Sequence, residues 1–228
     1  MLVRYELARK NVKNINLRVR GDGSVTVSAN RLISQERIEQ FLQRNADFVL
    51  RAVEKTKGGA ADLAEMIGRG YVPLWGTKTP VKIVVANKKR VECDGERLKI
   101  FLKNSTDVDS AVGALSSWLK NDCKTVVEKL CRKIYCERFG SRKEGFPELR
   151  FRNMKSRWGS CTPAKNKITF NYSLVFAPMQ CVELVVAHEL THLVVPNHSQ
   201  KFYDKLATII PDHASRKKAL NAAAIVTV

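Results

Sequence analysis

The stretch that decides the fold is VVAHELTHLVVPNHSQKF, residues 185–202, which holds three of the four histidines of this 228-residue chain. Apolar residues surround His188, Glu189 and His192 at the spacing of a buried helix, and Pro196 must end that helix. Histidines four residues apart lie on one face of a helix, so their ring nitrogens can bind the same ion. The HExxH spacing therefore predicts a zinc site, with Glu189 beside the two ligands as a general base.

The third ligand is expected just beyond the helix. Pro196 and Asn197 let the chain turn back, which can bring His198 over the ion held by His188 and His192. The alternative is a helix that buries two hydrogen-bonded histidines, with His198 in a loop that faces solvent. We favour the metal site because one ion satisfies all these polar groups together. Zinc is the expected ion, although imidazole ligands also accept other divalent transition metals.

A second unusual stretch is NMKSRWGSCT, residues 153–162, which connects two predicted strands. On physical grounds Gly159 permits a tight turn, Arg157 can stabilise an anion and Trp158 can form one wall of a cleft. Cys161 is expected to be a buried thiol and not a metal ligand, because three histidines already suffice. The composition of this connection indicates a shaped site.

Hydrophobic periodicity predicts an α+β fold in which the N-terminal region contains two small sheets. Residues 1–30 are expected to form a hairpin around the GDG sequence at residues 21–23, followed by a helix over residues 34–55. Four further strands are predicted between residues 71 and 102. We expect residues 1–104 to form this N-terminal α+β region.

The C-terminal region, residues 105–228, is expected to be the metal-binding catalytic domain. A single apolar stripe predicts one long helix that is closed by Gly140. Two short strands follow, PELRFRNMK and KITFNYS, and then the HExxH helix from about Met179. Two short helices are predicted after it, and His213 receives no role.

Composition limits the environment and the partners. Hydrophobic residues make up 44% and charged residues 27%, which is typical of a soluble globular protein. The N-terminus carries no signal peptide pattern, the apolar runs are too short to span a membrane and the six cysteines form no CxxC pair, so a cytoplasmic protein with reduced thiols is expected. The net charge of +18 makes nucleic acid a possible partner, although a solvated basic surface explains it equally well.

Three stretches together resemble a known family: SRWGSCT at residues 156–162, ITFNYSLVFAP at 168–178 and VVAHELTHLVVPNHSQKFY at 185–203. They are similar to the YgjP-like metal-dependent hydrolases, which are classed with the zincin-like metallopeptidases. The resemblance covers nearly the whole chain and implies a zincin-like catalytic domain. It implies that His188, His192 and His198 bind zinc and that Glu189 is the catalytic base or acid. It also implies that Arg157, Trp158 and Asn171 belong to the surrounding site. Tyr203 and His213 depart from the family pattern outside the ligand set.

Three functions remain open from the sequence. The first is a zinc metallopeptidase that uses metal-activated water, in which the strand KITFNYS binds a peptide along its edge and Arg157 or Asn171 stabilises the oxyanion. The second is a metal-dependent nucleotide phosphohydrolase, in which Arg157 binds phosphate. The third is a nucleic-acid-associated protease of the SprT type. The expected partners are therefore a peptide or protein substrate, or a nucleotide, with nucleic acid possible and no membrane.

Overall fold

The fold is seen in a computed structural model that describes residues 5–19, 24–47, 49, 63–223, 225–226 and 228. The chain divides into two compact units, Met1–Ala60 and Ala61–Val228. Three small sheets and six α-helices lie in the described ranges, which confirms the predicted α+β fold class. None of the helices in these ranges is long and apolar enough to cross a membrane.

The N-terminal unit contains a three-stranded sheet, with strands β1 Tyr5–Arg9, β2 Asn16–Val19 and β3 Val25–Ala29. The strands lie in the order β1-β3-β2. β2 and β3 pair in antiparallel fashion, which confirms the predicted hairpin. β1 pairs in parallel with β3 and is an addition to the prediction. The expected turn at residues 21–23 lies outside the described residues.

Helix α1, Gln35–Arg44, follows the sheet in the first unit. It begins at Ser34, whose side chain accepts a hydrogen bond from the backbone N–H of Arg37, as expected of a serine N-cap. Ile38 is fully buried against β3. The predicted helix continued to residue 55, and residues 50–55 lie outside the described part of the chain.

The second unit opens with α2, Leu63–Gly68, and a four-stranded sheet. The strands are β4 Tyr71–Leu74, β5 Thr77–Val85, β6 Arg90–Cys93 and β7 Leu98–Leu102, in the order β4-β5-β7-β6. All four were predicted. Along β7 every second residue is buried, so one face of the sheet packs on the core.

Helix α3, Val108–Phe139, is the long helix that the sequence predicts. The side chain of Asp107 caps it by accepting a hydrogen bond from the backbone N–H of Ser110 at 2.9 Å. Its buried stripe shares one core with the four-stranded sheet and with the helix that carries the HExxH sequence. Cys123 and Cys131 lie within that core, and all six cysteines are free thiols, as predicted.

The third sheet consists of β8 Glu148–Arg152, β9 Gly159–Thr162 and β10 Lys167–Asn171, in the order β8-β10-β9. β8 and β10 were predicted, whereas residues 156–166 were expected to be a shaped connection without a strand of its own. Part of that connection is β9, which pairs antiparallel to β10. The chain reverses through a 3-10 turn, Pro163–Lys165, and through Asn166 in the left-handed conformation at φ 43°.

This topology corrects the predicted substrate-binding strand. β10 was expected to offer its edge to a peptide, but β8 occupies one of its edges and β9 the other. An inner strand has no free backbone groups for strand addition. In the described part of the chain, β9 is the edge strand of this sheet that packs beside the HExxH helix.

The C-terminal helices are α4 Met179–His192, α5 Gln200–Ala207 and α6 His213–Ala222. α4 begins after Pro178 and carries the HExxH sequence in its last turns, as predicted. A tight turn at Trp75 and Gly76 packs against this helix start, and the backbone N–H of Trp75 donates to the carbonyl of Val175 at 2.7 Å. The turn therefore fixes the position at which the helix begins.

Gly76 lies at φ +82°, and a Cβ atom there would stand 2.7 Å from the Cα of Pro178. We expect Gly76→Ala to lower the free energy of unfolding by about 1–2 kcal/mol, because the left-handed backbone conformation is strained for a residue with a Cβ atom. Crowding against Pro178 adds a further loss of about 1–3 kcal/mol. Urea denaturation of this variant measures the sum of the two losses. Gly70→Ala is the matched control, because Gly70 lies at φ +74° with no neighbour within 4 Å, so only the backbone loss applies. Equal losses in the two variants would contradict the crowding at Pro178.

Candidate metal centre

Three imidazole rings converge at the end of α4. His188 and His192 lie one turn apart on the helix, and the chain turns back after Pro196 to place His198 beside them. The Nε2 atoms are separated by 3.2 Å between His192 and His188, and by 3.1 Å from His198 to each of the other two. The structure thus brings together the three side chains that were predicted from the sequence as metal ligands.

The spacing of these nitrogens fits a zinc ion. An ion held about 2.0–2.1 Å from three imidazole nitrogens at tetrahedral angles spaces them about 3.3–3.4 Å apart. Hydrogen bonds alone do not account for the cluster, because a proton on one Nε2 can point to only one of its two neighbours. Among the described residues these three side chains form the group of donors that could hold one ion.

The protonation state of the rings suits metal binding. Burial, followed by the neighbouring His192 and His198, lowers the pKa of His188 to about 3, and burial also lowers the pKa of His192. Both rings are therefore neutral, which is the form that ligates a metal. Nδ1 of His192 donates to the carbonyl of Val195 at 3.2 Å, so its Nε2 carries the free lone pair.

Glu189 stands beside the histidines with only 6% of its surface exposed. Burial raises the pKa of its carboxyl to about 8, and the positive charge of Arg157 opposes that shift. Gly159 lies directly against this side chain, since a Cβ there would stand 2.8 Å from both Cγ and Oε1 of Glu189. The expected tight turn at Gly159 is wrong: this glycine is the first residue of β9, and its lack of a side chain serves the close approach to Glu189.

A cavity of about 350 Å³ joins these groups. The three histidines and Glu189 form one side of it, and β9 supplies Gly159, Ser160 and Cys161 to the other. Burial, and next to it the charge of Glu189, raises the pKa of the half-buried Cys161 thiol to about 12. The thiol is therefore neutral and lies outside the donor group, in keeping with its predicted exclusion from the ligands.

Arg157 also lines the cavity, and its side chain is exposed. Within the described residues its guanidinium makes no hydrogen bond or ion pair, so it is available to an anionic group. Trp158 was expected to form a wall of the cleft. It packs against the core instead and is not among the residues that line the cavity.

Asn171 lies apart from the cavity and is fully buried. Its amide nitrogen donates to the carbonyls of Met154 at 2.8 Å and Arg157 at 2.9 Å. Its amide oxygen accepts hydrogen bonds from Ser173 and from the backbone N–H of Met154. Direct oxyanion stabilisation by Asn171 stays a prediction, and these contacts favour a role in which it positions the loop that carries Arg157.

Sequence reasoning missed Phe202 of α5. Its ring centroid lies 4.8, 4.5 and 4.9 Å from the centroids of His188, His192 and His198, and its side chain is fully buried. One sequence feature could have indicated this contact: Phe202 lies four residues after His198, at the start of an amphipathic helix.

The convergent histidines, the buried glutamate and the cavity have the composition of a metal-dependent hydrolase site. The sequence matches the profile of the YgjP-like family, metallopeptidase domain, over residues 13–223. The chain therefore belongs to the YgjP-like family, as the resemblance implied.

Other comparisons give weaker likenesses. No curated protein matches the chain significantly. The metallopeptidase zymogen of Pyrococcus abyssi abylysin is 18% identical with a TM-score of 0.38, over 45% of this chain and 99% of that one. The metallopeptidase zymogen of Methanocaldococcus jannaschii jannalysin is 14% identical with a TM-score of 0.35, over 42% of this chain and 96% of that one. The assignment to a family rests on the sequence match alone.

Proposed function

We propose that the protein is a zinc-dependent peptidase in which Glu189 is the general base. The observation that carries this proposal is the convergence of three imidazole Nε2 atoms within 3.2 Å of one another, beside a buried carboxyl in one cavity. His188, His192 and His198 would hold the ion. When bound, zinc supplies the positive charge that activates water and polarises a carbonyl group.

Glu189 would move the proton in this reaction. The charge of a bound ion would favour the ionised form of Glu189 over the protonated form that burial favours. The carboxylate would then accept a proton from the attacking water, and the resulting carboxylic acid would donate that proton to the leaving nitrogen of the peptide. Because the side chain is enclosed by Gly159 and the helix, it holds one position and faces little competing solvent. Arg157 would stabilise the negative charge that develops on the carbonyl oxygen.

The outer edge of β9 would bind the substrate. Its residues Gly159, Ser160 and Cys161 line the cavity, and the strand ends the three-stranded sheet on that side. An extended peptide can pair with the backbone groups of such an edge, which places its scissile bond along the cavity wall. We propose that residues 105–228 supply the catalytic groups, because every residue that lines the cavity lies C-terminal to residue 104. The compact unit that holds them begins earlier, at Ala61.

Metal removal tests the proposal. We expect the purified protein to contain zinc, to cleave unstructured peptides, to lose that activity with a chelator and to regain it when zinc is added back. Metal analysis and mass spectrometry of the products measure these effects. Nucleoside triphosphates are the comparison substrate. Turnover of nucleotides without peptide cleavage would contradict the peptidase assignment. The family match gives no support for nucleotide or nucleic-acid partners.

A further inference from the structure

A single buried aromatic ring contacts all three candidate ligands. Phe202 meets His188 and His198 edge to face, with interplanar angles of 70° and 72°, and lies at 33° to His192. All three centroid distances fall between 4.5 and 4.9 Å, which is the range of favourable aromatic pairs. The phenyl ring of Phe202 therefore packs against all three imidazoles.

Hydrogen bonds hold only part of this arrangement. A metal-bound imidazole usually donates its other N–H to a carbonyl or carboxylate, and this contact fixes the ring orientation. His192 has such a partner in the carbonyl of Val195 at 3.2 Å. In the ranges that the structure describes, Nδ1 of His188 and Nδ1 of His198 make no hydrogen bond to the protein. Packing must therefore orient these two rings.

Phe202 itself is held in place by tight packing. Phe202 belongs to a separate buried cluster with Leu184, Ala187, Leu206 and Ile210, which joins α4 to α5. A close-packed cluster of this kind gives the phenyl ring one position. His198 lies outside the helices and depends most on Phe202, since the aromatic ring on it from outside the histidine group, Tyr203, is stacked at a longer centroid distance of 6.3 Å.

We propose that Phe202 is a positioning residue, which holds the three imidazoles with their Nε2 atoms converging and so raises the affinity of the site for a metal ion. This inference rests on the proposed function to the extent that the histidines bind zinc. A flexible aliphatic side chain fills similar space but allows the rings to rotate. Metal binding must then order them, and affinity falls.

The test compares Phe202→Leu and Phe202→Met with the full-length wild-type protein. We expect each variant to bind zinc about 10–100-fold more weakly, as for other groups that orient metal ligands. Competition with a chelator measures the affinity. Substitution with Co²⁺ gives a visible spectrum that reports the ligand geometry, and we expect its intensity to fall in both variants. Thermal unfolding of the metal-free proteins shows how far each variant is destabilised on its own.

Leu206→Ala is the matched control, because Leu206 lies one turn further along α5 in the same cluster and has no ring to stack on the ligands. We expect it to lower the stability of the metal-free protein at least as much as the Phe202 variants do, and to weaken zinc binding less than they do, because the phenyl ring stays in contact with the three imidazoles. Wild-type zinc affinity and Co²⁺ spectra in both Phe202 variants would overturn the inference and leave the proposed function intact. A wild-type protein that binds no zinc would overturn both.

Discussion

Glu189→Gln will lower the rate of peptide hydrolysis by about 10²–10⁴-fold, the contribution of a general base, while the protein keeps its zinc. Glutamine has nearly the same shape and fills the same buried position between the helix and Gly159. It cannot accept a proton from water. The loss should therefore appear in kcat, and zinc content should match that of the wild-type protein.

The matched control for this change is Glu183→Gln. Glu183 lies on the same helix, outside the cavity, and its carboxylate accepts a hydrogen bond from Arg216 at 2.6 Å. The rate of this variant should stay near that of the wild-type protein. An active Glu189→Gln enzyme would exclude Glu189 as the base, and loss of zinc from it would show that the carboxylate serves the metal site instead.

Gly159→Ala should lower kcat about 10²-fold, because a misplacement of about 1 Å at a reacting group has an effect of that size. The new methyl group would stand 2.8 Å from both Cγ and Oε1 of Glu189. The enclosed Glu189 side chain must shift to relieve the clash, which we expect to lower the free energy of unfolding by about 1–3 kcal/mol without preventing folding. Zinc content should remain close to that of the wild-type protein.

A double variant makes this prediction sharper. If Gly159→Ala acts through Glu189, the double variant with Glu189→Gln will be no slower than Glu189→Gln alone. Gly68→Ala controls for the glycine substitution itself, since a Cβ at Gly68 meets nothing within 4 Å. Additive losses in the double variant would show that Gly159 acts by another route.

The ligand geometry was predictable because it depends on local rules. Helical spacing puts His188 and His192 together, and a proline stops the helix in time for His198 to return. The hairpin, the four-stranded sheet and α3 followed from apolar periodicity in the same way. Each of these features is determined by residues close in sequence.

The features that were missed depend on contacts between distant segments. β9 escaped prediction because glycine, serine and a following proline resemble a loop, and only pairing with β10 makes the segment a strand. The contact of Gly159 with Glu189 joins residues thirty positions apart, and nothing in either local sequence indicates it. Asn171 was expected at the site because the family resemblance implied it, whereas its amide nitrogen donates to the backbone carbonyls of Met154 and Arg157.

The buried amide of Asn171 has a consequence for how the contribution of one cavity side chain can be isolated. It ties the carbonyls of Met154 and Arg157 to the central strand of the sheet, while the side chain of Arg157 extends into the cavity without a partner in the described residues. The backbone of this loop is thus constrained and its outward side chain is not. A substitution at position 157 therefore removes the charge that faces the cavity and leaves the scaffold beneath it in place, so that any loss of activity can be assigned to the side chain itself.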